Sequence, residues 1–280
     1  ESEKGNYGID FEGEGLTVDG REKGIRKLMA INLLKRLESS VNSFRLTLTR
    51  IRDFIKDSIT AIDKFQESGA GTIDVTDFSE DFDTEDNEND PFVGRKSKIN
   101  LRDMDYVSWR RDLKADLEAL ELLILMLKDI TPEHDMKLQR LVTDLKNKFE
   151  HPINDSNKKV LIFTAFADTA NYLYEQLSGR ILDDCRLYTA LITGSTEGKC
   201  TLPKLKCTFN DILTYFSPLS KDRDAIHPND TREIDVLIAT DCISEGQNLQ
   251  DCDYLINYDI HWNPVRIIQR FGRIDRIGSK

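Results

Sequence analysis

Short apolar runs separated by polar turns fill the C-terminal part of the chain, and they predict buried strands. The runs are Lys159–Thr164, Leu187–Thr193, Val236–Ala239 and Tyr254–Tyr258, with a further helix predicted at Lys204–Phe216. Helical patterns also follow the first and the last of these strands. Alternation of fully apolar strands with helices is typical of a parallel sheet that is covered on both faces. We therefore predict an α/β fold, a parallel sheet flanked by helices, in this part of the chain.

The N-terminal half instead has apolar residues at three- and four-residue spacing, which predicts helices. From about Arg21 to Ile62 the stripe fits either one long helix or two helices broken near Ser39-Ser40. A second helical stretch is predicted from about Asp103 to Asp129. A third is predicted to start at the Thr131-Pro132-Glu133 cap and to end near Phe149. Together they predict an antiparallel, bundle-like helical region before the sheet.

These patterns divide the chain into three parts. Residues 1–20 are rich in Gly and Glu and predict a linker that leaves an upstream domain. Residues 21–152 form the predicted helical region, and residues 153–280 the α/β domain, with the boundary near His151–Asn157. An acidic run at 74–90 carries nine acids and no base, and we interpret it as a solvated loop. A DNA-mimicking or partner-docking tail is the alternative interpretation.

Composition limits the classes of function. The formal net charge is −11, which is unusual for a nucleic-acid-binding protein, although the acidic run concentrates part of it. The five cysteines never occur in CxxC spacing, so we predict reduced thiols in a cytoplasmic protein and no metal site. No apolar run approaches the roughly 20 residues that a membrane helix needs, so we expect no membrane partner.

The sharpest chemical signal is the helix predicted after Pro264. Arg273 and Arg276 are three residues apart and therefore share one predicted helix face, with Gln269 one turn earlier. Paired guanidinium groups suit an anion with several oxygens, such as a triphosphate. The alternative to a phosphate-binding role is a solvent-exposed basic face whose charges balance nearby acidic residues.

The order of motifs resembles a known family. QRFGRIDRIG (269–278) is similar to motif VI of superfamily 2 helicases, in the form found in SWI/SNF-type and RapA-like bacterial ATPases. The stretch from ATD to NP (239–264) resembles motif V and its surroundings. VLIFTAFADTANYLYEQL (160–177) resembles motif IV, and TGST (193–196) lies where motif IVa is expected. The resemblance implies the second RecA-like lobe of a nucleic-acid-stimulated ATP motor, with the helical region as a SWI/SNF-type protrusion or insertion.

The resemblance also implies roles for individual residues. Arg273 and Arg276 would be arginine fingers on the phosphates of ATP, and Gln269 would help to position them. Glu245 and Gly246 would face the ribose and the metal side of the nucleotide. Asp241 is a further nucleotide-binding candidate, unless it simply ends a strand. Arg270 departs from the small residue that is common in SWI/SNF-type motif VI, so its role is open.

Residues after the strands are the candidates for contacts with a nucleic-acid backbone. Small hydroxylated residues and Gly let backbone amides approach phosphates closely, although ordinary strand-end turns have the same composition. The implied contacts are Phe163, Thr164, Thr193, Gly194, Ser195, Thr240 and Asn248. The expected nucleic acid is double-stranded DNA, because SWI/SNF-type motors translocate on duplexes.

Half of the implied ATP site is absent from the chain. A P-loop needs four residues between its glycines and then Lys and Ser or Thr. In GSTEGKCT, three residues separate Gly194 from Gly198, and Cys200 stands where the hydroxyl is needed. We therefore expect a first lobe of the same protein to supply the P-loop and most Mg²⁺ ligands, and the chain alone to be inactive. The alternatives are a degenerate regulatory module that binds a protein partner through its helices, and a conventional unwinding helicase.

Overall fold

The computed structural model describes residues 18–68, 72–74, 98–101, 104–154, 156–194, 197–243, 247–261 and 263–275. The helices are α1 (Val18–Ser39), α2 (Val41–Ser68), α3 (Tyr106–Leu127), α4 (Met136–Glu150), α5 (Ala167–Cys185), α6 (Phe209–Phe216), α7 (Arg223–Ile226) and α8 (Pro264–Phe271). The strands are β1 (Thr72–Asp74), β2 (Lys98–Asn100), β3 (Val160–Phe163), β4 (Thr189–Ile192), β5 (Lys199–Cys200), β6 (Val236–Ala239) and β7 (Leu255–Asn257). Most of the predicted linker and of the acidic run lies outside the described residues. None of the described helices is long and apolar enough to cross a membrane.

The central sheet has the strand order β5-β4-β6-β3-β7. Strands β4, β6, β3 and β7 are parallel to their neighbours, whereas β5 pairs with β4 in the antiparallel direction. The α/β prediction is confirmed, with the correction that the sheet is mixed at one edge. Because the parallel strands run together, their carboxyl ends lie along a single edge of the sheet.

Two apolar layers cover the sheet because successive strand residues face opposite sides. Val160, Ile162, Val236 and Ile238 face a layer built from α4 and α5. Leu161, Phe163, Leu237 and Ala239 face a layer that contains α6. All residues of β3, β4 and β6 are buried, as expected for central strands of a parallel sheet.

Helix α4 packs against the sheet, although it lies before the predicted boundary near residue 152. Its apolar residues pack in the same layer as α5 and the strands; they are Leu138, Leu141, Leu145 and Phe149. The helix also begins later than predicted, since Asp135 caps it by accepting a hydrogen bond from the Leu138 N–H at 3.0 Å. An amphipathic stripe shows that a helix is packed, but it does not identify the surface that covers it.

The N-terminal helices confirm the two-helix alternative. α1 ends at Ser39 and α2 begins at Val41, with Ser40 between them. The Ser40 hydroxyl accepts a hydrogen bond from the Ser43 N–H at 3.0 Å, which is the geometry of an N-cap. α2 and α3 then pack through a separate apolar cluster that includes Ile55, Ile62 and Leu113. The predicted bundle is therefore correct for α2 and α3, whereas α4 packs elsewhere.

The helix predicted at Lys204–Phe216 begins only at Phe209, where the Thr208 hydroxyl accepts a hydrogen bond from the Asp211 N–H at 3.2 Å. The segment before it holds the short strand β5, which the sequence did not indicate. Gly198 lies just before β5, and an added Cβ there would be 2.4 Å from the Cys207 carbonyl oxygen. This close approach of two backbone segments explains why a glycine is needed at that position.

Candidate functional site

The polar residues that follow the parallel strands meet at the carboxyl edge of the sheet. Thr164 follows β3, Thr193 follows β4, Thr240 follows β6, and Tyr258 follows β7. This edge is where open α/β sheets bind their ligands. The structure therefore brings the predicted motif IV, IVa and V segments together, as the parallel arrangement requires.

Arg270 occupies the centre of this edge. Its Nε and Nη2 donate hydrogen bonds to the two carboxylate oxygens of Asp241, each at 2.6 Å. Its Nη1 donates to Asn257 Oδ1 at 3.1 Å and to the Asp259 carbonyl oxygen at 3.4 Å. The guanidinium also lies 5.3 Å from the centre of the Phe163 ring. Arg270 is 1% exposed, so this fork of donors is fixed inside the protein and joins β3, β6, β7 and α8.

This geometry changes the interpretation of two predicted site residues. Asp241 has both carboxylate oxygens bound by Arg270, so its role in the described structure is to hold α8 on the strand ends. Phe163 is 1% exposed and packs in the apolar layer, so its side chain is not available to a nucleic-acid backbone. Its predicted contact with a nucleic-acid backbone stays a prediction, which would have to be made by the main chain.

The hydroxylated residues at the strand ends are also covered. Thr164 is fully buried; its hydroxyl donates to Asp259 Oδ2 at 2.6 Å, and its N–H donates to the Ala239 carbonyl at 3.1 Å. In the structure Thr164 joins the end of β3 to Asp259, and its predicted nucleic-acid contact stays a prediction. Thr193 and Thr240 are buried as well, whereas Gly194 is exposed and Asn248 is half-buried. Of the described candidates for a backbone contact, Gly194 and Asn248 are the ones that solvent reaches.

The end of α8 differs from the prediction. The helix begins at Pro264, capped by the Asn263 side chain, and ends at Phe271. Arg273 lies in the turn that follows, with its N–H donating to the Arg270 carbonyl at 3.1 Å. The Arg273 carbonyl accepts from the Leu249 N–H at 3.1 Å, which joins the segment after β6 to this turn. Arg273 therefore lies beyond the end of α8, although it is still at the same edge as the strand ends, and Arg276 lies outside the described residues.

Arg273 is 8% exposed, and Gln269 on α8 is half-buried. Their assignments as arginine finger and positioning residue stay predictions. The remaining predicted site residues lie outside the described residues; they are Ser195, Glu245, Gly246 and Arg276.

Sequence reasoning missed two residues that organise this edge, Arg270 and Asp259. A signal for Arg270 existed, because it is three residues after Ile267 and four before Ile274, which is the spacing of an inward-facing helical position. Asp259 is 6% exposed and accepts hydrogen bonds from Thr164, from the Ala165 N–H and from Ser39. No local pattern marks it, since one of its partners lies 220 residues away.

A half-buried lysine adds charge next to Asp259. Lys137 Nζ lies 4.3 Å from the centre of the Tyr258 ring and donates to the carbonyl oxygens of Glu38 and Ser39 at 2.7 and 2.9 Å. Burial lowers the pKa of Lys137, and the negative charge of Asp259 opposes that change. Burial also raises the pKa of Tyr258, so its phenol stays protonated at neutral pH.

Comparison with known proteins gives a family match that includes segments at the carboxyl edge of the sheet. Residues 212–278 match the family model of the helicase conserved C-terminal domain. The C-terminal part of this chain is similar to a helicase C-terminal domain. The match covers β6, β7 and α8, and the structure adds β3 and β4 to the same sheet. The recognition of a superfamily 2 helicase C-terminal domain from its motifs is confirmed.

Two curated relatives align with short segments. The chain is 56% identical over 48 residues to the uncharacterized ATP-dependent helicase YqhH of Bacillus subtilis (strain 168), an alignment that covers 17% of this chain and 9% of that protein. It is 40% identical over 64 residues to the RNA polymerase-associated protein RapA of Pectobacterium carotovorum, which covers 22% of this chain and 7% of RapA. The alignments with these curated relatives thus span less than a tenth of each relative's length.

Among solved structures, the C-terminal part of the Fun30 ATPase domain aligns with 61% of this chain and 51% of its own chain, at 19% identity and a TM-score of 0.34.

Proposed function

We propose that this chain is the second motor lobe of an ATP-dependent nucleic-acid translocase of the SWI/SNF-like type. The observation that carries the proposal is the clamp of Arg270 on Asp241, Asn257 and Asp259. It fixes the segments that resemble motifs V and VI against each other at the carboxyl edge of the sheet. Because these segments are held together, the carboxyl edge of the sheet is suited to present Arg273 to a nucleotide.

In this proposal ATP lies between the lobe described here and a first lobe. Arg273 and Arg276 approach its β- and γ-phosphates when the two lobes close, and Gln269 positions them. Arginine fingers stabilise the charge that develops on the transferred phosphoryl group and commonly contribute a factor of about 10³ or more in rate. Closure and opening of the cleft would then move the lobes along a nucleic-acid backbone.

The residues present fit half of an ATP site. The guanidinium of Arg273 has the charge and geometry to bind phosphate oxygens. The carboxylates of Asp241 and Asp259 already accept hydrogen bonds from protein groups, so neither suits a metal ion in this state. Mg²⁺ bound with ATP would therefore take its protein ligands mainly from the first lobe, and would neutralise charge on the phosphates when bound.

An apolar surface beside the site supports the presence of a partner lobe. Ile260, Val265, Ile268 and Phe271 are 68, 53, 70 and 53% exposed. Large apolar side chains that cluster on one surface next to a site usually mark an interaction face. In this proposal the first lobe covers that surface when the nucleotide is bound, which explains why α8 is apolar on its outer side and charged on its inner side.

The proposed nucleic-acid track passes Gly194 and Asn248, the solvent-accessible candidates at the strand ends. Backbone amides and amide side chains bind phosphates without a basic surface, which reconciles the track with the net charge of −11. We propose duplex DNA as the track because the motifs resemble those of SWI/SNF-type motors. A conventional helicase that unwinds DNA or RNA is the alternative within the same class.

A regulatory or partner-binding module is the alternative of a different class. The C-terminal half of α3 favours it, because Leu122, Leu125 and Met126 are 59, 62 and 65% exposed. An apolar helix face of this size is suited to bind another protein. The two proposals are compatible if the helical region binds a partner while the α/β domain acts in the motor.

ATP turnover of the full-length protein tests the proposal, measured alone and with duplex DNA, single-stranded DNA and RNA at matched nucleotide concentration. We expect turnover that duplex DNA stimulates most. Stronger stimulation by single strands or by RNA would favour the conventional helicase. No turnover under any of these conditions would contradict the motor and support the binding module.

A further inference from the structure

The junction between α1 and α2 is docked on the α/β domain by polar contacts. Arg36 and Arg50 each donate to Asp168 Oδ2 at 3.0 Å, at the start of α5. The Arg36 side chain is 4% exposed and lies 4.9 Å from the centre of the Phe166 ring. On the other side of the junction, Lys137 Nζ donates a hydrogen bond to the Ser39 carbonyl oxygen. Directional polar contacts of this kind fix the orientation of two parts more strictly than apolar packing does, because each donor needs its own acceptor.

Ser39, the last residue of α1, reaches the edge of the sheet. It is fully buried, and its hydroxyl donates to Asp259 Oδ2 at 2.6 Å. A serine has one hydroxyl proton, so the contact with Thr169 Oγ1 at 2.8 Å requires that Thr169 donates to Ser39. Ser40 must then donate to Thr169 at 2.9 Å. The hydroxyl groups form a directed chain from the helix junction that ends on the Asp259 carboxylate.

Asp259 links Ser39 to the candidate site. Its carboxylate also accepts from Thr164 and from the Ala165 N–H, which fixes the segment after β7 against the end of β3. Its carbonyl oxygen accepts from Arg270. The Arg270 carbonyl in turn accepts from the Arg273 N–H at 3.1 Å. A continuous set of buried hydrogen bonds therefore joins Ser39 in the helical region to the backbone of Arg273.

We propose that Ser39 is a positioning residue for ATP hydrolysis, which acts through Asp259 and Arg270 to set the position of Arg273. The inference rests on the proposed function of Arg273. It adds that the helical region is part of the catalytic geometry, in addition to any partner that it binds. A shift of about 1 Å in a catalytic group can cost about a hundredfold in rate, so loss of one buried tether is enough to be measured.

The test compares Ser39→Ala with Ser58→Ala in the full-length protein. Ser58 is a matched control, because it is a buried serine of α2 whose hydroxyl has no hydrogen-bond partner among the described residues. For Ser39→Ala we expect kcat for ATP to fall about tenfold or more, with KM changed less than about twofold, because a displaced Arg273 weakens a contact of the transition state and leaves ground-state binding. Hydrogen exchange of the peptides that contain Asp259 and Arg270 should become faster. Ser58→Ala should keep the kcat and the exchange rates of the parent.

Equal kcat values for Ser39→Ala, Ser58→Ala and an active parent would overturn the inference and leave the proposed function intact. An inactive parent would instead contradict the proposed function, and the exchange rates alone would then decide whether Ser39 tethers the edge. If Ser39→Ala does not fold, Asp259→Asn replaces it, since it keeps the shape of the side chain and removes the charge. Loss of kcat in Asp259→Asn at unchanged KM supports the inference, and a parental kcat overturns it.

Discussion

The two ends of the sheet each contain a buried ion pair, yet they differ in what surrounds the pair. At the amino end, Lys148 donates to Asp253 at 2.7 Å, with side chains 2 and 7% exposed. At the carboxyl end, Arg270 donates to Asp241 at 2.6 Å, with side chains 2 and 11% exposed. Lys148 joins α4 to the segment before β7, at the opposite end of the strands from the described site residues. Arg270 also binds Asn257 and Asp259 and adjoins the turn of Arg273.

The comparison teaches that a buried ion pair does not by itself indicate function. Both pairs satisfy the same physical requirement, since a charge that is removed from water needs a partner. The difference lies in position and in the cation. A lysine is a point charge that tolerates rotation, whereas the planar fork of an arginine fixes the orientation of every group that it binds. The arginine stands at the end of the sheet where ligands bind, and there orientation affects chemistry.

Removal of Arg270 should have the largest effect. Arg270→Met leaves the Asp241 carboxylate buried without its cation, so we expect the free energy of unfolding to fall by about 3–5 kcal/mol. ATP turnover of the fraction that remains folded should also fall strongly, because α8 loses its attachment to the strand ends. Urea unfolding and turnover of the full-length protein measure the two effects. Parental turnover in a folded Arg270→Met variant would show that the clamp does not position the site.

Removal of Lys148 should separate stability from activity. Lys148→Met leaves Asp253 buried without its cation, and we expect a comparable loss of about 3–5 kcal/mol. Turnover per folded molecule should stay at the parental value, since this pair lies at the opposite end of the sheet. The control is Lys146→Met on the exposed side of α4, where the ion pair with Asp184 contributes about 0–1 kcal/mol. If Lys148→Met reduced kcat as strongly as Arg270→Met does, the distinction between the two ends would be lost.

The smallest expected effect concerns Asp235, directly before β6 at the amino end. Burial raises the pKa of Asp235, although the Tyr188 N–H donates to the carboxylate at 2.9 Å and opposes the change. The folded state therefore binds this proton more tightly than the unfolded state, so stability is lost as pH rises through the folded pKa. Asp235→Asn removes this loss, and its free energy of unfolding relative to the parent should increase from acid to neutral pH.

Urea unfolding at acid and at neutral pH measures the free energy of unfolding of Asp235→Asn relative to the parent, with Asp183→Asn on the exposed face of α5 as the control. A relative stability of Asp235→Asn that falls towards neutral pH would contradict the assignment.

Local patterns in the sequence were sufficient to predict much of the fold. The strand that became β6 is a fully apolar run bounded by polar residues, and it was predicted at Val236–Ala239 with the correct ends. The break at Ser40 follows from the preference of serine for an N-cap. By contrast, the stripe on α4 has the same spacing whether it faces the helical region or the sheet, so the domain boundary could not be predicted from spacing.

The candidate site was harder to predict because its organising contacts are long-range. The resemblance pointed to the carboxyl edge of the sheet, yet it gave no sign that Arg270 lies on α8 and binds Asp241 while Arg273 lies in the turn after the helix. That difference depends on where the helix ends. The contact between Ser39 and Asp259 spans 220 residues and involves one hydroxyl, which no periodicity or spacing indicates. The resemblance indicated the residues expected to act on the nucleotide, whereas Ser39, Asp259 and Arg270, which hold the edge together, were not predicted.

The measurement that tests the central claim most directly is the kcat for ATP of Arg273→Ala in the full-length protein, together with its affinity for ATP. We predict that kcat falls by a factor of about 10³ or more while the affinity for ATP changes little, because an arginine finger acts on the transition state. Arg266→Ala is the matched control, since it removes a half-exposed arginine from α8 itself and should keep the parental kcat. Turnover of Arg273→Ala near the parental value would contradict the account.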